Sequence, residues 1–238
     1  MSPVRGRIGS DATLVHTEHA TVDHHDQHDE NCRWSGPCCH YDSHGSRSSE
    51  VFIAPPGGWT VDDLDRWPES NVRYELTDGA LTVSPSPTSL HQALAAKLCV
   101  RLENDAPPPL AATQAVEIRF ARKTTRIPDV LVVESEEPER HWFAGPEVLL
   151  AVEIESPGSH VDDRITKPGL YARYGVPHFW RIELDPIAVH VYQLDGEGYV
   201  EIATAGAGDK LLLAEPFPID LAVAELIPRW ARRGSADH

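Results

Sequence analysis

Two stretches of seven residues constrain this chain more than any other feature. Residues 127–133 read IPDVLVV and residues 148–154 read VLLAVEI. Runs this apolar, rich in β-branched residues and too short for an ordinary helix, read as strands buried on both faces. Such strands belong at the centre of a sheet with helices packed on it. Yet Asp129 stands where the first strand begins, Glu153 stands late in the second, and Glu155 follows two residues on. A carboxylate inside a buried strand is costly unless it has a partner. These acids are where chemistry is to be sought.

The surrounding pattern supplies the other layers. Residues 60–67 read as a short helix, with Thr60 and Asp63 in a near capping box. Residues 73–83 read as a β-hairpin turning at Asp78-Gly79, and residues 84–87 as a turn. Ser89 and Gln92 form a capping box that opens a helix to about Asn104, with Leu90, Leu94, Leu98 and Leu102 as its apolar stripe. Residues 114–120 alternate like a strand. A helical stretch spans residues 161–174 and stops at Gly175. Strands are expected over 177–184, 188–194 and 199–203, and a closing helix over 219–227. The sum is an α/β domain at residues 51–230 with a mixed central β-sheet flanked by helices.

Residues 1–50 differ in kind. They hold seven of the 13 histidines and three of the four cysteines, with few large aliphatics. Such a segment cannot bury enough apolar surface to offset the entropy of ordering, so it reads as a disordered tail. Cys32, Cys38, Cys39, His40 and His44 are zinc-ligand types in a spacing unlike that of a recognised finger. A histidine-rich extension with adventitious metal affinity is the first reading, and a Zn²⁺ site the second. Residues 231–238 read as a second disordered end. No apolar run is long enough to span a membrane, and no secretory signal is visible, which places the expected compartment in the cytoplasm. The net charge of −16 argues against a large DNA-coating surface. It leaves open an enzyme that meets phosphate through a bound metal.

The chemistry follows from the placed acids. If the two apolar strands are neighbours, Asp129 and Glu153 converge, and two carboxylates with a backbone carbonyl and waters suit Mg²⁺ or Mn²⁺. Lys167, 14 residues after Glu153 in a helical stretch, can balance those acids, orient a water or hold a phosphate oxygen. Glu75 in the hairpin and His91 in the first turn of the capped helix are within reach of the same pocket. Together these suit phosphodiester hydrolysis. Glu155 reads as a rim charge, and Tyr171, Tyr174 and Trp180 as packing. Pro168-Gly169 weakens the helix just after Lys167, and Tyr171 shares the face of Lys167 only if that helix is continuous.

The run Tyr74-Glu-Leu-Thr-Asp-Gly-Ala-Leu81, then His91, Ile127-Pro-Asp-Val130, Val152-Glu-Ile-Glu-Ser-Pro157, Asp163-Arg-x-x-Lys167 and the segment from Leu170 to Trp180 resemble the Uma-type endonucleases of the PD-(D/E)XK superfamily. The similarity runs from about Trp59 to Ile227, in matching order and spacing. It implies a restriction-endonuclease-like fold and divalent-metal-dependent cleavage of nucleic acid, with DNA the expected substrate. By the same resemblance Asp129, Glu153 and Glu75 match the metal-binding acids, Lys167 the catalytic lysine and His91 the histidine heading the first helix. The superfamily's usual lysine lies two residues after the strand acid. Here that position is Glu155, so Lys167 on the helix stands in. Cutting two strands is compatible with a homodimer. The rival expectation is a catalytically silent module that binds nucleic acid or a partner protein.

Overall fold

The computed structural model describes residues 54–67, 72–84, 86–137, 139–156 and 162–234. The tail of residues 1–50, with its expected zinc ligands, lies outside the described residues. So do the last four residues of the expected C-terminal tail, which begins as a 3₁₀ turn over Ala231–Gly234.

The first element among the described residues is a single helical turn, α1 (Val61–Leu64), whose Asp63 carboxylate accepts from the N–H and hydroxyl of Thr60 at 3.0 and 2.6 Å. The hairpin follows as β1 (Arg73–Thr77) and β2 (Ala80–Ser84). Its two loop residues, Asp78 and Gly79, both have positive φ (48° and 89°). That conformation matches the twist of a tight hairpin and favours Asp-Gly there. Helix α2 (Ser89–Asp105) starts one residue earlier than its sequence suggests. Thr88 is the N-cap and its hydroxyl accepts from the N–H of His91. His91 is thereby the third residue of the helix.

Then come β3 (Leu110–Gln114), β4 (Glu117–Ala121), β5 (Thr124–Arg126), β6 (Val130–Glu134), β7 (Trp142–Ala144) and β8 (Val148–Ile154). The single strand expected over residues 114–120 is two. Ala115 adopts φ 52°, which breaks the extended chain and sends β3 and β4 into different sheets. After β8, a π-helical turn over Asp162–Thr166 runs directly into α3 (Lys167–Arg173). Strands β9 (His178–Leu184), β10 (Ile187–Asp195), β11 (Gly198–Gly206), β12 (Lys210–Leu213) and β13 (Ile219–Ala222) complete the fold. The closing helix expected over residues 219–227 is not there. Ile219 and Leu221 alternate inward as β13 paired with β12, and only Val223–Glu225 turns helically. Over so short an apolar stretch the two periods are hard to tell apart.

The central sheet has the order β11-β10-β9-β8-β6-β3. It is antiparallel except for β8 and β9, which run parallel. A parallel pair needs a crossover, and α3 is that crossover. The sheet is therefore mixed, and both apolar runs lie at its centre as expected. One face packs against Leu94, Leu98 and Leu102 of α2. The other carries Leu131, Val133 and Ala151 against Tyr171 of α3 and Ile118 of β4. Pairing between β6 and β8 skips Leu149. This bulge turns Leu149 toward the α2 cluster, away from the face of Ala151. Truncating Leu98, fully buried in the α2 cluster, to alanine is expected to cost about 2–5 kcal/mol, read from the urea midpoint.

Candidate active site

The site lies where the ends of β6 and β8 meet the crossover. Asp129 immediately precedes β6, and its N–H bonds the Val152 carbonyl at 3.1 Å. That pairing sets Asp129 beside Glu153 near the end of β8. Asp129 Oδ2 accepts from the N–H of Ile154 at 2.8 Å and lies 3.1 Å from His91 Nε2. The same nitrogen lies 3.1 Å from the Ile154 carbonyl. A carbonyl only accepts, so Nε2 carries the proton there. His91 Nδ1 is buried without a hydrogen-bond partner.

Glu153 is buried, and each of its oxygens is held by α3. Lys167 Nζ donates to Oε2 at 2.7 Å and the Tyr171 hydroxyl donates to Oε1 at 2.6 Å. Lys167 Nζ also lies 2.8 Å from Asp163 Oδ1. Asp163, Lys167 and Tyr171 stand four residues apart and share one face, so the helix is continuous through Pro168-Gly169. It is continuous because Pro168 falls in the first turn of α3, where its missing N–H costs least.

Glu75 is buried on β1, and its Oε1 accepts from the N–H of Ile127 at 2.7 Å. Arg73 is two residues earlier, on the same face of the strand. Its Nη1 lies 3.5 Å from Asp129 Oδ1. All five residues expected at the site are thus gathered here. Three more were not assigned from sequence: Asp163, Tyr171 and Arg73. The i, i+4, i+8 spacing on α3 carried the signal for the first two, but Pro168-Gly169 hid the helix. The i, i+2 spacing with Glu75 was the signal for Arg73.

The electrostatics are those of too many acids around one cation. Burial pushes the Glu153 carboxyl up to about 8, with Lys167 opposing and Asp129, Asp163 and Glu75 adding to the rise. Burial works against the Lys167 ammonium, but Glu153, Asp163 and Glu75 outweigh it and hold its pKa well above the usual lysine range. The acids around it thus favour the charged form of Lys167. Burial, then the charge of Glu153, raises the Tyr171 hydroxyl far above its ordinary value, which keeps it a hydrogen-bond donor.

Among the described residues no three His, Cys, Asp or Glu side chains form a ready-made metal group. The acids still sense one another: Asp129, Asp163 and Glu75 each raise the Glu153 carboxyl. The donor set nevertheless suits a hard cation. Mg²⁺ typically uses one or two carboxylates and keeps several waters, and does not need an all-protein cage. Asp129, Glu153 and Glu75 are oxygen donors of that kind.

Glu155 is not a rim charge. It is buried, with Arg164 donating to both its oxygens at 2.7 and 3.0 Å and Arg181 Nη1 bonding Oε1. Both arginines also bond Glu183, at 2.9 and 2.7 Å. The position after the strand acid thus serves a structural ion network, while Lys167 reaches Glu153 from the helix.

Residues 61–225 match the Uma2 family, described as "Putative restriction endonuclease". The chain belongs to that family. Among solved structures it is similar to "a putative nuclease belonging to DUF820" from Anabaena variabilis ATCC 29413, at 19% identity and a TM-score of 0.55. That match covers 70% of this chain and 96% of the other. At this identity the likeness speaks to the fold, which is that of a nuclease. No curated protein matches the chain. Among the described residues of this Uma2 member, no helix is long and apolar enough to cross a membrane.

Proposed function

We propose that this Uma2 protein is a divalent-metal-dependent endonuclease that hydrolyses phosphodiester bonds in DNA. The observation that carries the reading is the Lys167 ammonium, 2.7 Å from Glu153 and 2.8 Å from Asp163, on a helix that faces Asp129 from the neighbouring strand. Asp129 and Glu153 would hold Mg²⁺ or Mn²⁺, with Glu75 assisting. The bound ion supplies Lewis acidity at the phosphate and a water of lowered pKa.

The chain's own residues do the remainder. Lys167, its charged form favoured by those acids, orients the attacking water and stabilises negative charge developing on the phosphoryl oxygens. Tyr171 and Lys167 fix the Glu153 carboxylate. His91 and the Ile154 N–H fix Asp129. Glu75 is fixed by the Ile127 N–H. Each acid thus presents a preset oxygen, which lowers the cost of organising the reaction.

The test is cleavage of single- and double-stranded DNA and RNA in Mg²⁺, Mn²⁺ or EDTA by the wild type and by Asp129→Asn. DNA cleavage that needs the metal and falls at least about 100-fold in the variant is expected. Equal cleavage by both proteins, or cleavage in EDTA, would sink the assignment.

The second reading is a silent module that binds nucleic acid or a partner protein. What favours it is that both oxygens of Glu153 are already engaged and that no three-ligand group is preformed among the described residues. A folded protein that binds DNA in EDTA and cuts nothing under any divalent ion would support it. Cutting both strands of a duplex by pairing two copies remains part of the first reading, with analytical ultracentrifugation on DNA as its check.

A further inference from the structure

Four carboxylates, Glu75, Asp129, Glu153 and Asp163, are at least nine-tenths buried around the single ammonium of Lys167. Lys167 is committed to two of them and its side chain is only 12% exposed. Arg73 brings a guanidinium to this group of acids, with Nη1 3.5 Å from Asp129 Oδ1 and a side chain 32% exposed. Asp129 Oδ2 is already occupied by the Ile154 N–H and His91. Oδ1 is therefore the oxygen through which Asp129 can take a cation, and Arg73 is the group that covers it.

The contact is weakly held. At 3.5 Å it exceeds good hydrogen-bond length, and a partly solvated ion pair contributes little. The strand that carries Arg73 is, by contrast, firmly fixed. Arg126 Nη1 bonds the Leu76 carbonyl at 3.0 Å, Arg126 Nη2 bonds Thr77 Oγ1 at 2.8 Å, and the Thr125 hydroxyl accepts from the Leu76 N–H at 3.1 Å. The backbone stays in place while the guanidinium is free to change partner.

We propose that Arg73 is an exchangeable counter-ion. It covers Asp129 Oδ1 in the metal-free protein, yields that oxygen to a divalent cation, and then contacts a phosphate oxygen of the bound strand. A cation on Asp129 removes the charge that holds Arg73 back. A phosphate offers the planar fork of the guanidinium a better-matched acceptor. Lys167, held at 2.7 and 2.8 Å by Glu153 and Asp163, stays in place beside the reacting phosphate, so the cation that changes partner is Arg73. The inference rests on the nuclease reading and adds to it an order of events: metal first, then nucleic acid.

The test uses the full chain and two measurements that do not depend on cleavage. Mn²⁺ affinity is measured by calorimetry without nucleic acid. Binding of a fluorescein-labelled DNA duplex is measured by anisotropy in Ca²⁺ across a salt series. Removing a competing cation in Arg73→Gln is expected to tighten Mn²⁺ binding about threefold to tenfold. The same variant should bind DNA about tenfold more weakly and lose about one unit of the salt slope. Arg73→Lys keeps the charge and loses the fork, so its Mn²⁺ affinity should stay near wild type while DNA binding weakens. It also serves if Arg73→Gln fails to fold.

Opposite signs for metal and DNA are the signature, since a merely structural defect weakens both. Both affinities falling together, or neither moving, overturns the proposal. If wild type binds Mn²⁺ and DNA, and Asp129→Asn loses Mn²⁺, then unchanged affinities in the Arg73 variants sink this inference alone. If wild type binds neither, the nuclease reading falls and this inference with it.

Discussion

Replacing Glu153 with glutamine is expected to abolish metal-dependent cleavage and at the same time to raise the melting temperature measured in EDTA. Glutamine keeps the shape and one of the two acceptor oxygens, which now serves either Tyr171 or Lys167, and removes a charge that the site disfavours. The sign follows from linkage. The Glu153 carboxyl is raised to about 8 by burial and by Asp129, Asp163 and Glu75, so the folded protein binds a proton there that the unfolded chain has lost. That contribution is fully present below the ordinary glutamate pKa of 4.5 and is lost as pH rises through about 8. The variant should melt close to wild type near pH 5 and above it near pH 9. Each pKa unit is about 1.4 kcal/mol, so the gain is a few kcal/mol at most, on the order of 5–10 °C. A variant that is less stable than wild type at pH 9 would refute the crowded-acid description. In the wild type, a cation at the site must displace that proton, so metal affinity should rise with pH through the same window.

Arg181→Met is the second large effect, and it acts on stability alone. Arg181 bonds Glu155 and Glu183 and lies 3.4 Å from the Tyr192 hydroxyl. Without it, buried Glu155 loses its most buried cation and leans on Arg164, whose side chain is 48% exposed. Stranding one partner of a buried pair typically costs about 3–5 kcal/mol, on the order of 10 °C for a chain of this size. Cleavage per folded molecule should persist at temperatures where the variant is folded. Adding Glu155→Gln should cost less than the sum of the two single changes, because the stranded charge is gone. Loss of cleavage in the folded variant without a fall in melting temperature would instead make Glu155 part of the reaction site.

The elements legible in the sequence were those with strong local signals. Asp78-Gly79 announced the hairpin, and the leucine stripe announced α2. The two apolar runs announced the centre of the sheet. The missed elements had weak ones. Residues 110–114 (LAATQ) and 142–144 (WFA) are too short and too mixed to show a period, and they become strands by pairing with β6 and β4. Residues 219–222 read as helix in isolation, because β12, at residues 210–213, supplies the hydrogen bonds that decide between strand and helix.

The site divides in the same way. The sequence by itself determined which acids had to be paid attention to, because a carboxylate in a doubly buried strand cannot be solvated by the strand itself. It therefore marked Asp129 and Glu153, and the order of motifs pointed to Glu75, His91 and Lys167. Only the tertiary structure decided what each acid touches. The π-helical turn before α3 brings Asp163, Lys167 and Tyr171 onto one face. The ring of His91 on α2 meets Asp129, and Arg181 of β9 meets Glu155 just past the end of β8. Hydrophobic pattern is a local property of the chain. The partner of a buried charge is not, because groups far apart in sequence compete for it and the packed fold selects among them.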